Sequence, residues 1–172
     1  MRRVQFIAAF ALPLLALPAQ AGAQVRQQAQ LRPQDTVIRY YRALNARDYR
    51  AAYALWSGGG QASGQSFAAF KAGFACTRST HVKLAGPVRL EGAAGSLYAE
   101  VPVQVRAQLN SGRLQMFTGH YVLHKNNTGT GDPDSWNWHL YRADLQERGG
   151  ASGRLPPPPE LSARPATLPS CA

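Results

Sequence analysis

Acidic residues are scarce in this chain, and where they are missing matters more than how few there are. The 172 residues carry 9 Asp and Glu against 19 Lys and Arg, a formal net charge of +10. No carboxylate occurs from Tyr49 to Leu90, and none from Val101 to Gly131. Chemistry by paired carboxylates needs two acids close together in different environments, and these two stretches deny it an interior pair. Cysteine is nearly absent as well: only Cys76 and Cys171 occur. The chain has no Cys-x-x-Cys pair, no His-Glu-x-x-His and no Gly-x-Ser-x-Gly, and its glycine-rich loop from Gly58 to Gly64 lacks the Lys-Ser/Thr ending of a phosphate cradle. Metalloprotease, hydrolase-elbow and P-loop chemistries are thereby excluded.

Long apolar runs are confined to the N-terminus. Arg2 and Arg3 precede an apolar stretch from Val4 to Leu17, broken by Pro13 and followed by the small-x-small sites Ala19-Gln20-Ala21 and Ala21-Gly22-Ala23. This pattern predicts a secretory signal peptide over residues 1–23 rather than a membrane span. No Cys follows it to carry a lipid, and no later segment is apolar enough to cross a bilayer. The protein is therefore expected to be exported, to a periplasmic or extracellular location. There the mature chain would hold 17 basic and 9 acidic residues, 17 − 9 = +8. An oxidising compartment lets Cys76 and Cys171 pair, with an entropic gain of roughly 4 to 5 kcal/mol for so long a loop. Because Cys171 is the penultimate residue of a tail, the alternative of a buried Cys76 and a free tail thiol stays open.

The positive charge is scattered. No run of four basic residues exists, and the arginines are spread over predicted helices (Arg39, Arg42, Arg47, Arg50) and strands (Arg89, Arg106, Arg113). A dedicated nucleic-acid surface would concentrate them beside stacking aromatics. Dispersed charge favours solubility and loose attraction to anionic surfaces instead.

Residues 24–32 read as a flexible leader, 33–146 as one α+β domain, and 147–172, with Pro156 to Pro159, as a Pro-rich disordered tail. Pro33 and Asp35 suit a helix start. Val37, Tyr40, Tyr41 and Leu44 fall at i, i+3, i+4 and i+7, the buried stripe of a first helix. Asp48 caps a second helix with Tyr49, Ala52, Tyr53 and Trp56 on one face, and Ser66 a third with Phe67, Phe70 and Phe74. Strands follow. The segment 81–90 alternates as one strand, and 91–95 is a turn. Leu97, Ala99, Val101, Val103, Val105, Ala107 and Leu109 share one face of a long half-buried strand, whose Pro102 marks a bulge or an edge. Asn110-Ser111-Gly112 turns the chain back along 113–124, and a last strand covers 136–141, with 143–146 finishing the fold.

The segments YYRALNARDYRAAYALWS, FAAFKAGFACT and SWNWHLYRADL resemble the nuclear transport factor 2-like superfamily over roughly Pro33 to Gln146. The resemblance implies three helices packed on a strongly curved antiparallel sheet, a cone with a pocket at its open end. Some members of that superfamily are ketosteroid isomerases, dehydratases or polyketide cyclases; many only bind ligands or partners, or dimerise through the outer sheet face. The isomerase branch implies a helix-1 tyrosine, which Tyr40 or Tyr41 matches, together with an Asp base and a late-strand acid that this chain lacks. The dehydratase branch implies histidines with an acid, for which His120, His81 and His139 are the material.

The expected function is an exported, non-enzymatic ligand-binding or scaffolding domain. Its apolar, aromatic pocket would comprise Tyr40, Tyr41, Tyr53, Trp56, Phe70, Met116, His120 and Trp138. The expected partner is a small apolar or aromatic ligand, or a second copy on the outer sheet face; no cofactor is expected. His120 and His124 have the spacing of helical zinc ligands, but a strand sets them about 13 Å apart, so no metal is expected. The alternative is a small lyase or isomerase with His120 as general base. That role needs His120 to face the pocket, and a histidine hydrogen-bonded in an apolar wall, or on the opposite face, would not serve. A third reading is a docking module using the outer sheet face or the Pro-rich tail.

Overall fold

The computed structural model describes residues 32–148. The expected signal peptide, most of the leader, nearly all of the tail and Cys171 lie outside the described residues.

The first helix, α1 (Pro33–Asn45), buries Val37, Tyr40, Tyr41 and Leu44, the predicted stripe. Asp35 accepts hydrogen bonds from the Arg32 backbone and side chain at 3.2 and 3.1 Å, which fixes the helix entry. A short α2 (Tyr49–Ala54) is capped by Asp48, which accepts from the Ala51 N–H at 2.9 Å, and α3 (Phe67–Gly73) by Ser66, which accepts from Ala69 at 3.2 Å.

Five strands follow: β1 (Thr77–Leu84), β2 (Arg89–Ala93), β3 (Ser96–Leu109), β4 (Leu114–Asn126) and β5 (His139–Glu147). All pairings are antiparallel, in the order β1-β3-β4-β5, with β2 also on β3. The segment 81–90 is thus two strands and not one. β1 pairs with Val103–Leu109 and β2 with Ser96–Glu100, both along the same side of β3. The break falls at Gly86-Pro87, and the last bond before it runs from the Ala85 N–H to the Pro102 carbonyl at 2.9 Å. Pro87 has no N–H to continue the ladder, and Pro102 presents its own missing N–H to the same gap. The expected turn at 91–95 contracts to Ala94-Gly95, both at positive φ. Trp136 is also not in a strand: Pro133–Trp136 forms a 3-10 turn capped by Asp132, and β5 begins three residues later and runs on to Glu147.

The helices lie on one face of this sheet, and α1 crosses it from edge to edge. Thr36 Oγ1 donates to the Trp138 carbonyl beside β5 at 3.3 Å, the Tyr41 hydroxyl meets Tyr121 on β4 at 2.7 Å, and Asn45 bonds the Thr80 backbone on β1 at 2.7 Å. From Thr36 to Asn45 the helix rises about 13 Å, close to the roughly 14 Å of three strand spacings. Helix length and sheet width are therefore matched. The core is the layer between them: Ala99, Val101, Val103 and Val105 of β3 and Tyr121 and Leu123 of β4 meet the aromatic faces of the helices. This is the expected α+β architecture.

Candidate functional site

The eight residues expected to line a pocket divide between the two faces of the sheet. Tyr40, Tyr41, Trp56, Phe70 and Trp138 are buried in the core, at 8% exposure or less, and Tyr53 packs partly buried against it. Met116 and His120 are not with them. Cross-strand register places Met116 opposite Arg106 and His120 opposite Pro102, on the face that points away from the helices. The inward residues of β4 are Phe117, Gly119, Tyr121, Leu123 and Lys125. A one-residue change of parity exchanges the faces of a strand, and it moves Met116 and His120 out of the expected pocket.

On the inner side the rings fill the space. Tyr40 lies 5.1 Å from Tyr41, 6.0 Å from Trp56, 6.1 Å from Tyr121 and 6.4 Å from Phe70, centroid to centroid. Tyr53 rests on Phe67 and Phe70 at 5.5 and 5.3 Å, and its hydroxyl donates to the Gln65 carbonyl at 2.7 Å. These separations are contact distances for edge-to-face rings. Lys125, although buried, holds its ammonium 5.1 Å over the Trp138 ring, a cation–π placement. Burial pushes the phenols of Tyr40, Tyr41 and Tyr121 upward, and their mutual proximity pushes them further. The Trp56 indole acts weakly against this at Tyr40, although its N–H closes no well-formed hydrogen bond. The small gap between the end of α1 and β1 is about 10 Å³, space for one water at most.

The outer face is open. A hollow of about 560 Å³ lies over β1 and β3, lined by His81, Lys83, Gln104, Arg106, Gln108 and Met116, with Ser79, Thr80 and Val105 at its margin. His81 is directly opposite Arg106 and Lys83 directly opposite Gln104. No carboxylate lines the hollow. Glu100, farther along the outer face, is turned to Arg89 at 3.5 Å.

Toward β5 the same face carries the histidines. His120 Nε2 is 4.0 Å from Asp144, which also lies 3.9 Å from Arg142. His124 packs between Tyr98 and Tyr141 and shares a 3.1 Å hydrogen bond with Ser96. Burial, and then the neighbouring His139, lower its basicity. His139 Nε2 sits 3.0 Å from the Asp134 carbonyl, and its Nδ1 is buried without a partner. Among the described residues no three His, Cys, Asp or Glu side chains gather to hold a metal, and no helix is long and apolar enough to cross a membrane.

Tyr121, Lys83, Arg106 and Gly119 were not singled out from the sequence. The signal for Tyr121 was there: Phe117, Tyr121 and Leu123 form an alternating set as apolar as Leu114, Met116 and Val122. The deciding cue was Gly119, which leaves a vacancy in the inward set.

No family model and no curated protein matches this sequence. Three solved structures are similar to it. A conserved protein from Planctomyces limnophilus DSM 3776 is 13% identical, over 72% of this chain and 100% of that one, with a TM-score of 0.47. Kfla4162 protein from Kribbella flavida is 14% identical, over 70% and 89%, at 0.44. A nuclear transport factor 2 (NTF2-like) superfamily protein from Salmonella enterica is 15% identical, over 77% and 95%, at 0.45. Three helices laid across a five-stranded antiparallel sheet are the α+β arrangement that the sequence resemblance implies.

Proposed function

We propose that this protein is an exported, non-catalytic binding or scaffolding domain that works through the outer face of its sheet. One observation carries the reading: the aromatic layer between helices and sheet is occupied by its own rings, whereas the opposite face holds a hollow of about 560 Å³. Ligand sites are concave and largely pre-formed, and the outer face offers that concavity. Met116 and Leu114, 41% and 53% exposed, add apolar surface beside it. A ligand suits the hollow better than a second copy. A two-fold pairing of this half of the face would bring Lys83 and Arg106 toward their own counterparts, and like charges across an interface are unfavourable.

The test is native mass spectrometry of the protein purified from its own host. A co-purifying species is expected to be lost in Met116→Glu, which alters the outer face, and kept in Tyr41→Phe, which alters the interior. Retention in the first and loss in the second would place binding inside the domain and overturn the reading.

The His120–Asp144 pair at 4.0 Å favours a second reading, a small lyase or isomerase with His120 as base and Asp144 as its orienting group. Its weakness is exposure: the Asp144 side chain is 63% accessible, and a base in open water gains little from preorganisation. Full turnover by a His120→Gln variant on any active substrate would end it.

A further inference from the structure

We infer that the β1–β3 hollow is a binding site for a multivalent oxyanion, a phosphate-bearing small molecule or headgroup. This rests on the outer-face reading above and names its ligand. Three basic side chains converge there from two strands. His81 and Arg106 are cross-strand partners, so their Cβ atoms stand about 5 Å apart. Lys83 is two residues from His81 on the same face, about 7 Å along the strand. Among the described residues no hydrogen bond or ion pair is made by the side chains of Lys83, Arg106 or His81.

Convergence in one hollow is what singles this cluster out, since Arg39, Arg42, Arg78 and Arg113 are also without a side-chain hydrogen bond or ion pair among the described residues. Arg47 donates to the Thr77 and Arg78 carbonyls at 2.6 and 3.1 Å, Arg89 faces Glu100, and Arg142 faces Asp144. Those cations are neutralised or employed in holding the fold. Lys83 and Arg106 are not, and the nearest side chains add donors: Gln104 opposite Lys83 and Gln108 opposite Ser79. Arginine offers a planar fork of donors and lysine a point charge. Together with two amides they suit an anion with several oxygens better than a single carboxylate. The volume, about 560 Å³, is that of a small-molecule site, not of a duplex groove. Met116 is an exposed apolar side chain lining the hollow, and it can cover the uncharged part of such a molecule.

The experiment is calorimetry of the full mature chain with pyrophosphate at low salt, beside cosedimentation with phosphatidylglycerol vesicles. Saturable one-to-one binding of pyrophosphate is expected. It should weaken by about tenfold or more in Lys83→Gln/Arg106→Gln and by no more than about twofold in Arg39→Gln/Arg42→Gln, which removes the same charge from the exposed helix surface. All four positions are exposed, so neither variant threatens the fold. Vesicle binding that requires Lys83 and Arg106 and is competed by pyrophosphate would also support the site and would identify a headgroup as its source. Absence of saturable binding in both arms, or equal losses in the two double variants, overturns the inference. If pyrophosphate fails while Met116→Glu still strips the native species, the outer-face reading stands and only the ligand class is wrong.

Discussion

Alanine at Gly119 is expected to cost about 2 to 6 kcal/mol, a large share of the stability of an ordinary domain. Gly119 sits in the middle of β4, opposite Val103 of β3 and Leu145 of β5, with φ at +155°. A Cβ there would collide with the Asp144 carbonyl and come within 3.0 Å of the Leu145 Cα. Both obstacles are backbone, so no side chain can swing aside. Relief requires β5 to move away from β4, and a steric conflict of this kind in a packed interior typically costs 1 to 3 kcal/mol, with about 1 to 3 more for the strained φ. Gly112 supplies the control. Its φ is +85°, yet nothing lies within 4 Å of its Cβ position, so Gly112→Ala should cost only about 1 kcal/mol of strain. Urea midpoints of the two variants measure the difference. Equal, small shifts would mean that β5 does not press on β4 as described.

Stability is also expected to fall steeply as pH rises above about 10. Tyr40, Tyr41 and Tyr121 are buried, at 4%, 6% and 3% exposure, and burial raises each phenol above its ordinary range. In the unfolded chain these phenols ionise near pH 10. The folded form keeps its protons when the unfolded form releases them, so the native contribution is intact below pH 10 and falls as pH rises beyond it. Each tyrosine contributes a slope of up to about 1.4 kcal/mol per pH unit. Three together make about 4 kcal/mol per unit, so two units reach the whole stability of an ordinary domain. Loss of lysine charge over the same range would relieve repulsion in a chain of this net charge, an effect of opposite sign. Denaturant midpoints at pH 9, 10 and 11 should therefore fall steeply. Tyrosinate absorbance of the buried set should appear together with unfolding. The Tyr41→Phe/Tyr121→Phe variant removes both partners of the 2.7 Å hydroxyl pair, leaves no orphaned group, and should shed about two thirds of the slope. Smooth titration of all 7 tyrosines near pH 10 with the fold intact would contradict the packing described.

Much of the fold was legible because its signals are local. The stripe of α1, the Asp48 and Ser66 caps and the inward face of β3 each depend on spacing within one element, and each is found where the residues place it. Two kinds of information were not local. Whether 81–90 is one strand or two depends on what lies across the sheet, where Pro102 faces the gap at Pro87. Which face of β4 turns inward depends on Gly119 fitting against β5, since either alternating set is apolar enough to be buried. That ambiguity governs the site. Read with the wrong parity, Met116 and His120 join the aromatic helices; with the right one, they stand on the far side, and Tyr121 takes their place. The hollow was invisible for the same reason. Its cations come from β1 and β3, 25 residues apart in the His81–Arg106 pair, and only strand register brings them together.

The claim that binding belongs to the outer face is most directly tested by an amide chemical-shift map of the isotope-labelled chain titrated with pyrophosphate. The account predicts saturable shifts confined to residues 79–83 and 104–108 and the adjoining Met116, with the amides of Tyr40, Tyr41, Trp56 and Tyr121 unmoved. Shifts centred on those four interior residues, with the β1–β3 amides silent, would contradict it.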